Sequence, residues 1–440
     1  AMLWKIRIVF TIVNVVYNIF RPIWLFFHKK PPSIPPITRP IYMLSATKLA
    51  KKIREGEITS SEVVREYIMR INEVNSFINA VVDERFADAI IEAKNYDQQL
   101  KEGKFDIKTL EKEKPLYGVP ITIKECCAVK GCSHTGCTLP CKGIKADYDA
   151  AIVEMLRNAG AIPLCVTNTP EMCGGFDSTN LLYGRTCNPY DTRYAEDLGL
   201  LMKVMTSKCN HDLRLDVPVD LKQIKIYYRQ SLDKTIGVLS MSQEIENCVL
   251  KAANHFARYN VRAEKVQYLQ LIYQCTRDLT YLILQLPIEW PVTIIDIGLT
   301  GYLNVKKPPQ MLLDASDSEH HKNVKVEMMK ALFGLSEHTK QLLFFTIPFE
   351  THFPFTESEI SHYTKHTEKI RQKLLDLLGD NGVLIYPTFR KQFLPQFVLC
   401  EIMSFANCAI FNLIDFPAAH VPMGLNLHEG MPIGIQVNFN

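Results

Sequence analysis

Pro115-Leu116-Tyr117-Gly118-Val119-Pro120-Ile121-Thr122-Ile123-Lys124-Glu125 decides how the chain is read. Leu116 to Ile123 is a short apolar, β-branched run of strand length, and Lys124 stands at its end. Downstream, Asp149 to Ala159 has helical spacing and is closed by Gly160, and Ala161 to Thr167 (AIPLCVT) reads as a second buried strand. Strand, helix, strand in that order predicts an α/β domain. Upstream, Thr59-Ser60-Ser61-Glu62 has the spacing of a capping box. Val64, Tyr67, Ile68, Ile71 and Val74 follow at helical intervals, so Ser60 and Ser61 read as a helix start and not as a catalytic pair. Residues 83–102 read as helical, and helices dominate from about 195 to 380. Val383 to Pro387 and Ile433 to Val437 read as late buried strands.

A lysine at the end of a buried strand needs a reason, because burying an ammonium group is costly. Either it pairs with a carboxylate such as Glu125, or burial lowers its proton affinity and prepares it as a general base. Eight cysteines, from Cys126 to Cys187, crowd around it with His134 among them. Their order fits no familiar zinc pattern, so they read as small buried hydrophobes rather than a metal site. His362 and His366, four apart, lack the glutamate of a zinc-protease motif and read as a solvated helix face.

The chain has 440 residues, with 50 Lys+Arg against 47 Asp+Glu and a net charge of +3. That balance argues against a nucleic-acid partner. Thirteen cysteines, an odd number, argue for a reducing compartment. Glycine is scarce, 20 of 440 residues, against a usual share of about 7%. Leu3 to Phe27 is nearly long enough to cross a bilayer, though Lys5, Arg7, Asn14, Asn18, Arg21 and Pro22 interrupt it. Trp4, Tyr17 and Trp24 suit headgroup depth. Residues 1–30 are therefore expected to form a membrane anchor, spanning or lying in one leaflet, with basic residues on both flanks leaving its orientation open. Residues 31–43 are expected to form a proline-rich linker and 44–440 the globular domain.

Pro115 to Glu125, then Lys130-Gly131 and His134-Thr135-Gly136, resemble the lysine-bearing strand of the amidase-signature family. Asp149 to Ala161, Thr167-Asn168-Thr169-Pro170-Glu171, Tyr183 to Asp191, Phe416 to Ala419 and Gly430 to Val437 continue the resemblance in order. It implies a mixed, twisted central sheet wrapped by helices and amide hydrolysis by a Ser–cis-Ser–Lys triad without a cofactor. Lys124 is the triad lysine by resemblance, and Cys173, Gly174 and Gly175 border the substrate channel. The implied substrates are fatty-acid amides, and the implied location is an intracellular membrane (endomembrane or lipid droplet), with a homodimer left open. Residues 280–350 would line an acyl tunnel or a membrane-facing cap, or be ordinary core.

Two members of the triad have no counterpart. In the family, the Asn-Pro-Tyr-Asp turn leads into a Gly/Ser-rich segment, and a second glycine-rich stretch then supplies the nucleophile and the oxyanion donors. Here Asp191 to Tyr194 runs straight into Ala195-Glu196-Asp197-Leu198, which resembles a helix lying well downstream. The expectation is a deletion near 194/195, a shortened isoform or incomplete gene copy, and a chain with little or no activity. The alternatives are a non-catalytic membrane-attached or lipid-binding scaffold and, apart from the family, a zinc protein.

Overall fold

The structure is a computed structural model. It describes residues 34–187, 197–209, 215–231, 240–266, 310–314, 321–350, 356–391, 406–426 and 430–439, with residues 12, 13, 15–20, 23, 27, 213 and 404. The join at 194/195, most of the expected anchor and residues 280–309 lie outside the described residues. In chain order the helices are α1 (Ala46–Arg54), α2 (Ser60–Ile78), α3 (Phe86–Lys101), α4 (Ile107–Glu113), α5 (Ala151–Asn158), α6 (Asp197–Met205), α7 (Gln243–His255), α8 (Val324–Leu332), α9 (Lys340–Glu350), α10 (Glu357–Leu378) and α11 (Ala406–Leu413). The strands are β1 (Val81–Glu84), β2 (Pro120–Lys124), β3 (Ile162–Thr167), β4 (Thr179–Asn180), β5 (Gly184–Arg185), β6 (Lys225–Tyr228), β7 (Glu264–Lys265), β8 (Gly382–Pro387), β9 (Ala418–Leu425) and β10 (Pro432–Phe439).

The chain divides into two compact units. The unit of residues 30–217 and 309–351 holds a three-stranded sheet in the order β1-β3-β2, with β3 antiparallel to β1 and parallel to β2. β3 is buried on both faces. Ile162, Leu164 and Cys165 pack with Val64 and Ile68 of α2 and Ala89 and Ala93 of α3. Val166 packs with Ile123 of β2 and with Val153 and Leu156 of α5. Burial on both sides explains why AIPLCVT shows no alternation.

The capping reading of Thr59 holds. Its side chain accepts from Glu62 N at 3.1 Å, and α2 begins at Ser60. Asp97 completes the cap by accepting from the amides of Ser60 and Ser61 at 2.6 and 3.0 Å. β2 begins at Pro120, four residues later than expected. Gly118 takes φ +73°, and residues 116–118 are tied instead to the end of α5, with Leu116 N donating to Ala159 O and Gly118 N to Gly160 O, both at 2.9 Å. Gly160 itself, at φ +92°, lies so close to Tyr117 that an added Cβ would stand 2.7 Å from Tyr117 Cα. The expected helix over 83–102 also starts late, because residues 81–84 form β1.

The unit of residues 1–29, 218–308 and 352–440 holds a mixed five-stranded sheet in the order β7-β6-β8-β10-β9. β6 is parallel to β7 and β8, and β10 is antiparallel to β8 and β9. Alternate residues go to opposite faces. Ile226, Ile385 and Ile435 pack with Cys248 and Val249 of α7. Tyr227, Leu384 and Tyr386 pack with Ile370 and Leu374 of α10 and with Ile410 and Phe411 of α11. The sheet is thus helix-covered on both faces, as the α/β reading expects. β8 and β10 match the two late strands expected. β6 and β7 break the expected helical run from 195 to 380, since two to four residues show too little periodicity to read. β9 went unseen because it is a largely exposed edge strand carrying Pro422, a residue tolerated at an edge.

Among the described residues no helix is long and apolar enough to cross a membrane. The described positions of the N-terminal segment are helical and leave Ile12, Val15, Val16, Ile19, Phe20, Ile23 and Phe27 exposed.

Candidate active site

Lys124 closes β2, opposite Thr167 of β3. The ladder ends there. Glu125 N donates to Thr167 O at 2.8 Å, and Cys127 N then turns back to Lys124 O at 2.8 Å. The pairing with Glu125 raised for Lys124 is not made. Its side chain is exposed rather than buried, and its amine meets Ser178 Oγ at 3.5 Å rather than Glu125.

Glu125 faces the other way. It is fully buried, and its Oε1 accepts from Thr135 N, from Thr135 Oγ1 at 2.7 Å and from Ser133 Oγ at 3.2 Å. Cys137 Sγ lies 3.6 Å from Oε2. Successive residues of a strand point to opposite sides, so neighbours in sequence here enter different surroundings. Ser133 Oγ also meets Tyr183 OH at 2.6 Å, and Ser133 N donates to Asp83 at 2.8 Å. The Lys130–Gly136 loop is thereby fixed to β1 and to the Tyr183 segment.

A second enclosed carboxylate fixes the loop after β3. Glu171 is buried and accepts from Thr138 Oγ1 at 2.8 Å and from Thr339 N at 2.7 Å. The His338 ring is buried with it, Nδ1 at 2.8 Å from Glu171 Oε1 and Nε2 at 3.1 Å from Leu313 O. The ring thus bridges the Glu171 carboxylate and the Leu313 carbonyl, one oxygen at each nitrogen. Glu171 stands in one of the motifs quoted above, whereas no spacing along the chain marks His338.

The residues expected to border the channel divide. Cys173 is exposed and lies near Cys126 and the Lys124 amine. Desolvation of its sulfur, then Cys126, push its thiol up to about 11. Gly174 and Gly175 lie against α9, where an added Cβ would meet Leu342 Cδ1 and Gln341 Oε1, each at 2.6 Å. Phe176 stacks edge-on against Phe345 with ring centroids 5.3 Å apart. Asn168 donates to the carbonyls of Ser178 and Gly184, and Thr186 N donates to Ser178 O at 2.9 Å. These bonds bring Ser178 to the end of β2. The sequence reading did not name Ser178.

Among the described residues no group of three or more Cys, His, Asp or Glu side chains could hold a metal ion. Of the eight clustered cysteines only Cys132, Cys137 and Cys165 are buried free thiols, as small hydrophobes would be; Cys127 and Cys141 are half-buried, and Cys126, Cys173 and Cys187 are exposed, contrary to the buried reading. Burial pushes Cys137 to about 11 and Cys165 to about 12. His366 Nδ1 meets His362 O at 2.9 Å on the outer side of α10, where His362 is exposed.

The family model described as Amidase matches residues 62–199. The chain is 30% identical to fatty-acid amide hydrolase 2-B of Danio rerio, covering 93% of this chain and 88% of that one. It is 28% identical to fatty-acid amide hydrolase 2 of Homo sapiens, covering 91% and 86%. A solved bacterial aryl acylamidase of the amidase-signature enzymes superposes with a TM-score of 0.63 at 15% identity, over 91% of this chain and 94% of that one. A solved fatty acid amide hydrolase superposes with a TM-score of 0.62 at 14% identity, over 92% and 83%. The zebrafish alignment runs over 491 positions, yet 93% of 440 residues is only about 409, so about 80 positions hold no residue of this chain.

Proposed function

The chain belongs to the amidase-signature family, and from that premise we propose that it is a fatty-acid amide hydrolase scaffold whose catalytic lysine is Lys124 and whose two serines are absent. The observation that carries this reading is the place of Lys124. It stands at the open end of β2, with the family's 167–187 motifs docked around it and Ser178 in contact. In the proposed chemistry a neutral lysine takes a proton from one serine, which activates a second. The second serine attacks the amide carbonyl, and water then releases the acid from the acyl-enzyme.

This chain retains only the proton acceptor. The alignment positions without a residue here support a deletion, which we place near 194/195, where the Gly/Ser-rich segment is expected. Loss of an acyl acceptor and of the oxyanion donors removes most of the rate enhancement, several orders of magnitude. We therefore read residues 44–440 as an amidase domain with little or no turnover. The exposed apolar side chains between Ile12 and Phe27 support a second reading, a membrane-attached or lipid-binding isoform that keeps the scaffold.

The genomic sequence between codons 194 and 195 tests the deletion. An in-frame Gly/Ser-rich exon identifies this chain as a variant of a competent enzyme, and uninterrupted coding sequence there, with no such exon, overturns that origin. Inserting a family Gly/Ser-rich segment between Tyr194 and Ala195 is expected to create hydrolysis of a long-chain primary fatty amide. Lys124→Ala in that restored chain is expected to remove it. Restored activity that survives Lys124→Ala would overturn the role assigned to the lysine.

A further inference from the structure

A cleft of about 630 Å³ opens where three helices of the first unit meet: the end of α1 with Arg54 to Gly56, the last turn of α3 with Leu100, and the start of α4 with Phe105 to Lys108. That volume falls in the roughly 300–1,000 Å³ of small-molecule sites. One wall is apolar. Leu100 and Phe105 pack against the core cluster that holds Ile53 and Leu110, and Ile107 stands exposed beside them. The other wall is charged. Arg54 is only 7% exposed. A guanidinium carries five N–H donors in a planar fork. Nη1 donates to Pro115 O at 3.2 Å. Nη2 lies 3.7 Å from Glu111 Oε1, beyond ordinary hydrogen-bond length, and the Glu111 side chain is 69% exposed. No other acceptor among the described residues meets the fork, and a buried charge is costly until a counter-charge joins it. Lys108 stands exposed at the rim. Lys104 and Lys114 add positive charge alongside, 5.9 and 5.7 Å from the centroid of the Phe105 ring. The two carboxylates of the cleft are engaged elsewhere. Asp106 accepts from Thr109 N at 2.9 Å and from the Thr109 hydroxyl, and Glu55 lies 3.8 Å from Lys51 Nζ.

We propose that this cleft binds an amphipathic carboxylate, a single carboxylate group on a medium-length alkyl body. The carboxylate lies across the Arg54 fork, two N–H donors to two oxygens, with the Lys108 amine beside it. The alkyl body covers Leu100, Phe105 and Ile107. A bare phosphate would meet the cations and leave the apolar wall wet, and an alcohol would cover the wall and leave the fork unmet. Arg54 also holds Pro115 O, so the ligand and the turn that leads into β2 share one guanidinium. The site does not depend on amide hydrolysis.

The test adds octanoate to the full chain, with calorimetry for affinity and hydrogen exchange for location. Saturable binding is expected, with slower exchange in the amides of residues 100–108 and no comparable effect from inorganic phosphate or octanol. Lys108→Glu and Ile107→Asp are each expected to weaken octanoate about tenfold. Arg54→Lys keeps the charge but removes the fork, and is expected to weaken it by more than about tenfold. Lys108 and Ile107 are exposed, so their variants carry the test if Arg54→Lys disturbs the fold. Four results would each overturn the proposal: no saturable octanoate binding, unchanged affinity in both Lys108→Glu and Ile107→Asp, slowed exchange confined to residues outside the cleft, or phosphate or octanol bound as tightly as octanoate.

Discussion

At the end of β2 the carboxylate of Glu125 is enclosed by Thr135, Ser133 and Cys137, while the amine of Lys124, one residue earlier, is exposed and meets one hydroxyl at 3.5 Å. The enclosed side is complete as architecture: its acceptor atoms are met by donors from a loop that β1 and Tyr183 also hold. The open side, on the function proposed above, is incomplete as chemistry. A strand that alternates its side chains can lose the partners of one face and keep those of the other. The support of this site is thus a separate matter from its activity.

Substitution on the two sides should therefore give unequal results. Glu125→Ala leaves the Thr135 amide and the Thr135 and Ser133 hydroxyls without their acceptor, and is expected to cost about 3–5 kcal/mol in denaturant unfolding. Lys124→Ala is expected to stay within about 0.5 kcal/mol of the unsubstituted chain. Equal costs would break the comparison.

Glu171→Gln keeps the shape but sets an NH2 group against donors, the Thr339 amide or the His338 ring, and is expected to cost about 2–3 kcal/mol. Gly160→Ala forces a Cβ against Tyr117 at φ +92° and is expected to cost about 2 kcal/mol while also shifting the entry to β2. A neutral result there would mean that the 116–118 turn does not set where the strand begins.

The smallest effect is a pH dependence. Cys137 and Cys165 hold their protons up to about 11 and 12 in the folded chain, whereas an unfolded cysteine ionises near 8.5. The folded state then binds more protons than the unfolded one. Their stabilising contribution is full below about pH 8.5 and falls as pH rises through 11 to 12. Cys165→Ala is expected to flatten the alkaline limb of a stability–pH profile, and an unchanged limb would place the titration elsewhere.

The parts of the fold that the sequence made legible are those with long or bounded patterns. The helix behind Thr59, the buried run of β3, and β8 and β10 all carry an apolar period or a terminal signal. Of the candidate site, the sequence marked only Lys124 and the order of motifs around it. Ser178 and His338 reach the site through tertiary packing, and no spacing along the chain marks them. Glu125 stood beside Lys124 and invited an ion pair, but the alternation of β2 sends it to a different set of partners. Gly174 and Gly175 read as channel residues, yet their lack of a side chain is what admits Leu342 and Gln341 of α9.

The central claim is that this scaffold keeps its proton acceptor and lacks an acyl acceptor. Labelling the full chain with a fluorophosphonate probe, alongside hydrolysis of a long-chain fatty amide, tests it most directly. The account predicts no labelled serine and no turnover above the uncatalysed rate. A serine labelled in step with loss of amidase activity, Ser178 first among them because it touches Lys124, would contradict it.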